Sequence, residues 1–273
     1  KLWSEPSKYN SRGIRLTEEA LAGTDPIKIA SPKGYEMMSC FEGLCELYRV
    51  TGDEKLLEAV VKFGESVLKK EIMIVGSGSS GELWCDGANR QTEILEQPME
   101  TCVTVTWMKL CYQLLRLTGN SRWADQLEIS LYNSLFGAMI DGGKWWAYFS
   151  PLIGERMPSP MQVALCRSNC CVANGPRGMM ITPGWSIMKS KDGPVINLYS
   201  KGTWLQQLKN GTELTIRQET EYPVNNEILI KVDLPRRELF TISLRIPEWS
   251  KETKLFVNSE SINCKAGTYA QLK

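Results

Sequence analysis

Two stretches of the chain are written to one design, and that duplication restricts the fold more than any other feature. Leu47-Tyr48-Arg49-Val50-Thr51-Gly52-Asp53 and Leu114-Leu115-Arg116-Leu117-Thr118-Gly119-Asn120 align without a gap, 67 residues apart. Each closes a stretch of helical periodicity. Before the first, Tyr35, Met38, Phe41, Leu44, Cys45 and Tyr48 recur at spacings of three and four. Before the second, Val103, Trp107, Leu110, Cys111, Leu114 and Leu117 do the same. One apolar face on a helix is the consequence. A second helical stripe follows each turn, through Leu56, Leu57, Val60, Val61, Val67 and Leu68, and again through Trp123, Leu127, Leu131, Leu135 and Phe136. Gly52 and Gly119 suit left-handed helix termini. Two helical hairpins related by a repeat predict a solenoid or toroid of helix pairs. A chance match between two common turns is the alternative.

From Pro194 onward the period changes to two. Val195–Tyr199, Glu213–Arg217, Ile228–Val232 and Leu239–Ile246 read as strands, and Asn210-Gly211 as a hairpin turn. The expectation is a helical domain over 1–190 and an antiparallel β-sandwich over 191–273. Between the second hairpin and the strands, Asp141–Pro183 reads as a long irregular segment rich in aromatics and proline, and such segments usually carry function.

The composition excludes whole classes of chemistry. With 32 basic and 31 acidic side chains, the 273 residues offer no electrostatic footprint for nucleic acid or an anionic membrane. No apolar run approaches the length of a spanning helix, and the opening Lys1-Leu2-Trp3-Ser4 lacks the apolar core of a signal peptide. The compartment stays open between cytoplasm and bacterial periplasm. There is no histidine, so no Ser-His or Cys-His pair and no imidazole ligand or base. Carboxylates, thiols, Tyr, Lys and Arg must carry any reaction.

Nine cysteines cannot all pair internally. Cys40, Cys45 and Cys111 fall on helical patterns and read as small core residues, and Cys264 as structural. Cys102, Cys166, Cys170 and Cys171 stand apart. Adjacent Cys170 and Cys171 seldom bond to each other but can share a metal. With Cys102 and the carboxylate of Glu100 they make a four-ligand set suited to tetrahedral Zn2+ without histidine. Buried free thiols are the alternative. Glu82 follows the loop Gly76-Ser77-Gly78-Ser79-Ser80-Gly81 and precedes Trp84. A carboxyl beside an aromatic face is what carbohydrate sites use, although a solvated loop glutamate has the same sequence. Trp107 and Trp123 fit core stripes, whereas Trp145, Trp146 and Tyr148 in the long segment are candidates to line a cleft with Trp84.

Taken together, the Gly/Ser loop ending at Glu82, Glu100-Thr101-Cys102, and Cys170-Cys171-x-x-Asn174 with Pro176-Arg177 resemble the β-L-arabinofuranosidase family, glycoside hydrolase family 127 and its relatives. The resemblance runs from about residue 30 to the end. It implies an (α/α)6 barrel followed by β-sandwich domains, and hydrolysis of terminal arabinofuranosides with retention, on plant-type glycans. By position, Glu100, Cys102, Cys170 and Cys171 match the zinc ligands, Cys170 the nucleophile and Glu82 the general acid/base. The family's complete enzymes are more than twice as long. A partial barrel is therefore implied, completed by a missing N-terminal half or another chain. Asn174-Gly175-Pro176-Arg177 departs from the Pro-Pro-Asn wording of the best-studied branch, and the family's sugar-contacting histidines are absent. The other reading is a non-catalytic carbohydrate-binding or structural relative that keeps zinc for folding.

Overall fold

The computed structural model describes residues 14–140, 142–160 and 169–273. Cys166 and the opening Lys1-Leu2-Trp3-Ser4 lie outside the described residues. Two compact units emerge. One gathers the described residues up to Gly119 with Gln126–Met179, the other Asn120–Asp125 with Met180–Lys273. The helices in chain order are α1 (Leu16–Ala22), α2 (Gly34–Thr51), α3 (Glu54–Lys70), α4 (Thr101–Thr118), α5 (Arg122–Ile129), α6 (Phe136–Ala138) and α7 (Cys170–Ser186), with a π-helical stretch, Ser130–Leu135, joining α5 to α6. Among the described residues no helix is long and apolar enough to cross a membrane.

In the first unit the duplication holds to the residue. Both α2 and α4 are 18 residues long, and Gly52 and Gly119 end them in the left-handed region at φ 69 and 66. Asp53 then starts α3, its carboxylate accepting the Lys55 N–H at 3.1 Å. Met37, Met38, Phe41 and Cys45 are the buried stripe of α2, and Ala59, Val60, Phe63 and Val67 that of α3. Phe41 and Phe63 stack across the hairpin with centroids 3.8 Å apart. Equivalent repeat positions face each other: Glu42 pairs with Lys109 at 2.9 Å, and the Gln113 amide donates to Glu46 at 3.1 Å. Contacts between equivalent positions one helical turn apart require α2 and α4 to run side by side in the same direction. From Thr101 to Met108 every residue of α4 is buried.

The segment read as irregular ends in a 17-residue helix, α7, that sequence reasoning missed. Pro176, Gly175 and Gly178 are poor helix formers, and their usual meaning is a break. Here the glycines serve packing. A Cβ on Gly175 would meet the Trp146 ring at 2.2 Å, and one on Gly178 would meet Val105 at 2.9 Å. Asn169 starts the helix, its side-chain oxygen accepting the Val172 N–H at 3.1 Å.

In the second unit a four-stranded sheet has the order β1 (Ile187–Lys189), β2 (Pro194–Ile196), β6 (Ile242–Ile246), β9 (Thr268–Leu272). A second sheet is the meander β3 (Gly202–Gln207), β4 (Glu213–Thr220), β5 (Ile228–Asp233), and β7 (Leu255–Val257) and β8 (Glu260–Ile262) form a hairpin. The Asn210-Gly211 turn joins β3 to β4 with Gly211 at φ 87. Ile187, Ile196 and Leu244 from one sheet share a core with Leu214 and Ile216 from the other. An all-antiparallel arrangement does not hold: β2 pairs with β6 in parallel. The whole β3–β5 meander forms the crossover between them, so β6 re-enters in the direction of β2. Within β6 itself Arg245, with no exposed surface, pairs with Asp125 and also donates to the Asn197 carbonyl.

Candidate active site

Two helix starts bring the sulfurs together. Glu100 immediately precedes α4 and Cys102 lies in its first turn, while Cys170 and Cys171 open α7. A strap fixes the first of these ends: Thr101 donates its N–H to the Tyr148 carbonyl at 2.9 Å and its hydroxyl to the Ala147 carbonyl at 2.8 Å. The partial positive charge of both helix N-termini favours thiolate over thiol. One ligand atom from each of Glu100, Cys102, Cys170 and Cys171 lies within 4.8 Å of all the others. Cys102 and Cys171 sulfurs are 3.4 Å apart, and Glu100 Oε1 lies 3.6 Å from Cys171 Sγ and 3.8 Å from Cys170 Sγ. Legs of 2.3 Å give a tetrahedron edges of about 3.8 Å, so this spacing fits a Zn2+-sized ion.

The charge pattern makes the same point. Burial pushes the Glu100 carboxyl up to about 8, helped by the negative charges of Glu82 and Cys170. Hydrogen bonds from Cys102 and Cys171 hold the Cys170 thiol far below its ordinary range. Those same contacts push Cys171 up, and Cys102 rises chiefly through its contact with Cys170. Three sulfurs and a carboxylate cannot all be ionised in this space without a cation, and a dication removes the conflict. Cys102 and Cys171 are buried, whereas Cys170 is exposed. Of the four, Cys170 alone can meet an external electrophile.

Glu82 sits at a tight turn in the left-handed region, φ 70, an expensive conformation for a glutamate. Its Oε1 accepts the Tyr148 hydroxyl at 2.7 Å, and the same hydroxyl lies 3.7 Å from Cys170 Sγ. One phenol therefore touches both groups that the sequence singled out for chemistry, and they stand at most about 6.4 Å apart. Hydrogen bonding to Tyr148, then to Lys33, holds the Glu82 carboxyl below its ordinary value. Tyr148 itself is pushed up, first by burial and then by Glu82.

The tryptophans differ from expectation. Trp84 and Trp146 are 2% and 5% exposed, their rings packed against Gly34 and Gly175, so neither presents a face for a sugar. Trp145 is half-buried and donates its Nε1–H to the Ser159 carbonyl at 2.9 Å. Aromatic residues near glycines filled gaps between backbones here, and composition alone does not separate that use from a sugar platform.

The comparisons with known proteins bear on this constellation. Residues 24–183 match the model of the beta-L-arabinofuranosidase GH127 catalytic domain, and residues 194–273 match that of the GH127 middle domain. The chain belongs to glycoside hydrolase family 127. Over 225 residues this family 127 chain is 24% identical to the non-reducing end beta-L-arabinofuranosidase of Bifidobacterium longum, covering 77% of itself and 33% of that protein. A GH127 beta-L-arabinofuranosidase from Geobacillus stearothermophilus T6 matches with TM-score 0.75 and 24% identity, over 88% of this chain and 40% of that one. A further GH127 beta-arabinofuranosidase matches with TM-score 0.76 and 23% identity, over 88% and 40%. The family 127 chain thus spans a third of the curated relative and about two fifths of these solved structures.

Three further residues of this family 127 site were given no role by the sequence. Asn174 donates its amide to Cys102 Sγ at 3.1 Å. Lys33 reaches Glu82 Oε2 at 2.9 Å. Glu71, fully buried at the end of α3, accepts the N–H groups of Cys85 and Asp86 at 2.9 and 2.8 Å and so holds the far side of the Glu82 loop. Only the Asn174 spacing from the cysteine pair stood out in the sequence, and without a role.

Proposed function

We propose that the protein is a retaining glycosidase acting on terminal arabinofuranosides, with Cys170 as nucleophile and Glu82 as general acid and then base. The observation that carries this is the single Tyr148 hydroxyl in reach of both. Their separation, at most about 6.4 Å, leaves less room than the about 6.5–9.5 Å an inverting pair keeps for its water. The sugar class rests on the arabinofuranosidase names of the relatives.

Glu100, Cys102, Cys170 and Cys171 would hold a zinc ion, which when bound keeps the cysteine sulfurs ionised at neutral pH. The rest falls to the chain's own groups. Tyr148 and Lys33 hold Glu82 ionised at rest, so it must take up a proton before each turnover. Cys170 Sγ attacks the anomeric carbon while Glu82 gives that proton to the departing glycosidic oxygen. Tyr148 holds Glu82 Oε1 toward that bond. Water then cleaves the thioglycosyl intermediate on Cys170, with Glu82 taking the proton. Two inversions give net retention.

In the same reading the first unit is part of an (α/α)6 barrel, the strands are part of a β-sandwich, and the domain boundary falls at 190/191.

The test is hydrolysis of p-nitrophenyl β-L-arabinofuranoside by the zinc-supplied protein, with and without chelator. Product anomer is followed by proton NMR. We expect retained β-anomer, loss of turnover in Cys170→Ser, and loss of bound zinc in Cys171→Ser. Full hydrolysis by Cys170→Ser overturns the mechanism. Zinc binding and sugar binding with no turnover favour the non-catalytic reading.

A further inference from the structure

Glu82 is held on two sides, and only one of them is Tyr148. The short stretch Pro32-Lys33-Gly34, which enters α2, is laced to Glu82-Leu83-Trp84. Gly34 donates its N–H to the Glu82 carbonyl at 2.9 Å, Trp84 donates to the Pro32 carbonyl at 2.8 Å, and Lys33 bridges Leu83 in antiparallel fashion. This ladder delivers the Lys33 ammonium to Glu82 Oε2 at 2.9 Å. Glu36, in the first turn of α2, grips the same ammonium at 3.1 Å. Oε1 meanwhile belongs to Tyr148 at 2.7 Å. Each carboxylate oxygen has its own donor, and the two donors differ in kind: an ammonium that keeps its protons and a phenol beside the exposed sulfur.

We propose that Lys33 is a positioning residue for Glu82: by pinning Oε2 it leaves Oε1, on the Tyr148 and Cys170 side, as the oxygen that exchanges a proton with the glycosidic oxygen and then with water. The proposal rests on the reading of Glu82 as acid/base. Lys33 transfers nothing. The proton leaves Glu82 Oε1 as the anomeric C–O bond breaks and the S–C bond forms, and it returns from water as the S–C bond breaks. The charged and titratable groups facing Glu82 are Lys33, Tyr148, Cys170 and Glu100, with Glu36 acting through Lys33. A half-exposed ion pair adds little to folding stability, and the backbone ladder holds the two segments together without the side chains. Orientation of one carboxylate is what the ammonium contributes.

The test compares two arabinofuranosides in the zinc-supplied protein. A methyl glycoside needs a proton on its leaving oxygen, whereas a 2,4-dinitrophenyl glycoside departs without one. Lys33→Met is expected to lose about 10- to 100-fold in kcat/KM on the methyl glycoside and much less on the dinitrophenyl one, because the proton donor is misaimed rather than the sugar unbound. Lys33→Arg is expected to keep most of the activity. In a Glu82→Gln background, Lys33→Met should add no further loss. Equal losses on both substrates, or a loss that persists in the Glu82→Gln background, overturn the proposal. A Glu82→Gln variant with no leaving-group dependence signals the different failure, that of the acid/base reading, and removes this proposal with it. A readout without turnover is the carbon-13 carboxyl signal of Glu82. Its titration midpoint should rise in Lys33→Met and return in Lys33→Arg, and an unmoved midpoint overturns the proposal.

Discussion

Gly175→Ala adds one methyl group to the chain in one of its tightest places. The new Cβ would lie 2.2, 2.3 and 2.7 Å from three carbons of the Trp146 ring, where non-bonded carbons prefer about 3.5–4.0 Å. Trp146 cannot step aside cheaply. Its ring is 5% exposed, its carbonyl accepts from Ser159, and the next residue, Ala147, donates to Ala138 at 2.7 Å. The first turns of α7 must move instead, and Cys170 and Cys171 ride on them. Overpacking of this kind costs about 3 kcal/mol, the upper end of the usual range. Replacing glycine by alanine inside a helix also returns about 1 kcal/mol of propensity, and that gain needs a control. Gly43, inside α2, supplies it: a Cβ there meets nothing within 4 Å. Gly43→Ala is expected to stabilise by about 1 kcal/mol and Gly175→Ala to destabilise by about 2 kcal/mol. The helix contribution is common to both, so the gap of about 3 kcal/mol isolates the clash. Urea unfolding followed by tryptophan fluorescence measures it, and zinc titration should show weaker binding in Gly175→Ala alone. Equal stability of the two variants would refute the packing argument for α7.

Two other expectations concern charge. Arg245→Met removes the buried guanidinium that pairs with the Asp125 carboxylate, and a loss of about 3–5 kcal/mol is expected in urea unfolding. A loss below about 1 kcal/mol would mean that water reaches Asp125. Glu100, raised by burial to about 8 in the metal-free protein, binds its proton more tightly folded than unfolded. Its contribution is therefore fully present below the ordinary carboxylate range and is lost as pH rises through about 8. Over the same range the lowered Cys170 thiol contributes a slope of opposite sign. In chelator-treated protein the Glu100 share is therefore the difference from Glu100→Gln, which should lack the loss between about pH 5 and 8, and zinc binding should release the Glu100 proton. Calorimetry in buffers of different ionisation enthalpy reads the proton count, and zinc binding with no proton release would contradict the burial argument.

What the chain discloses before folding depends on whether a signal is periodic or pairwise. The hairpins were legible because Leu, Cys and aromatic residues repeat along them and because Gly52 and Gly119 end both at the same place. Glu82, Glu100 and the cysteines were legible because their order and spacing resemble those of a known family. α7 was not, because Gly175, Pro176 and Gly178 carry a local preference against helix that contacts with Trp146 and Val105 override. Lys33 was invisible for another reason: only the backbone ladder between Gly34 and Glu82 brings it to its carboxylate, and no spacing encodes that. Trp84 and Trp146 were misjudged because an aromatic residue beside a loop looks the same whether it fills a gap or lines a cleft.

The side-by-side register of α2 and α4 has a consequence for how such a chain avoids adhering to itself. A helix set beside an unchanged copy of itself brings each residue opposite its own duplicate. At the position now held by Glu42 and Lys109 that would oppose two carboxylates or two ammoniums, in a place only 14–19% open to solvent. The difference between the copies turns that conflict into attraction, and it also gives the stack a direction. Within one molecule Glu42 meets Lys109, whereas set in the same register against α2 of a second molecule it would meet another Glu42. Divergence at one position thus favours the intramolecular neighbour over the same helix of a second chain.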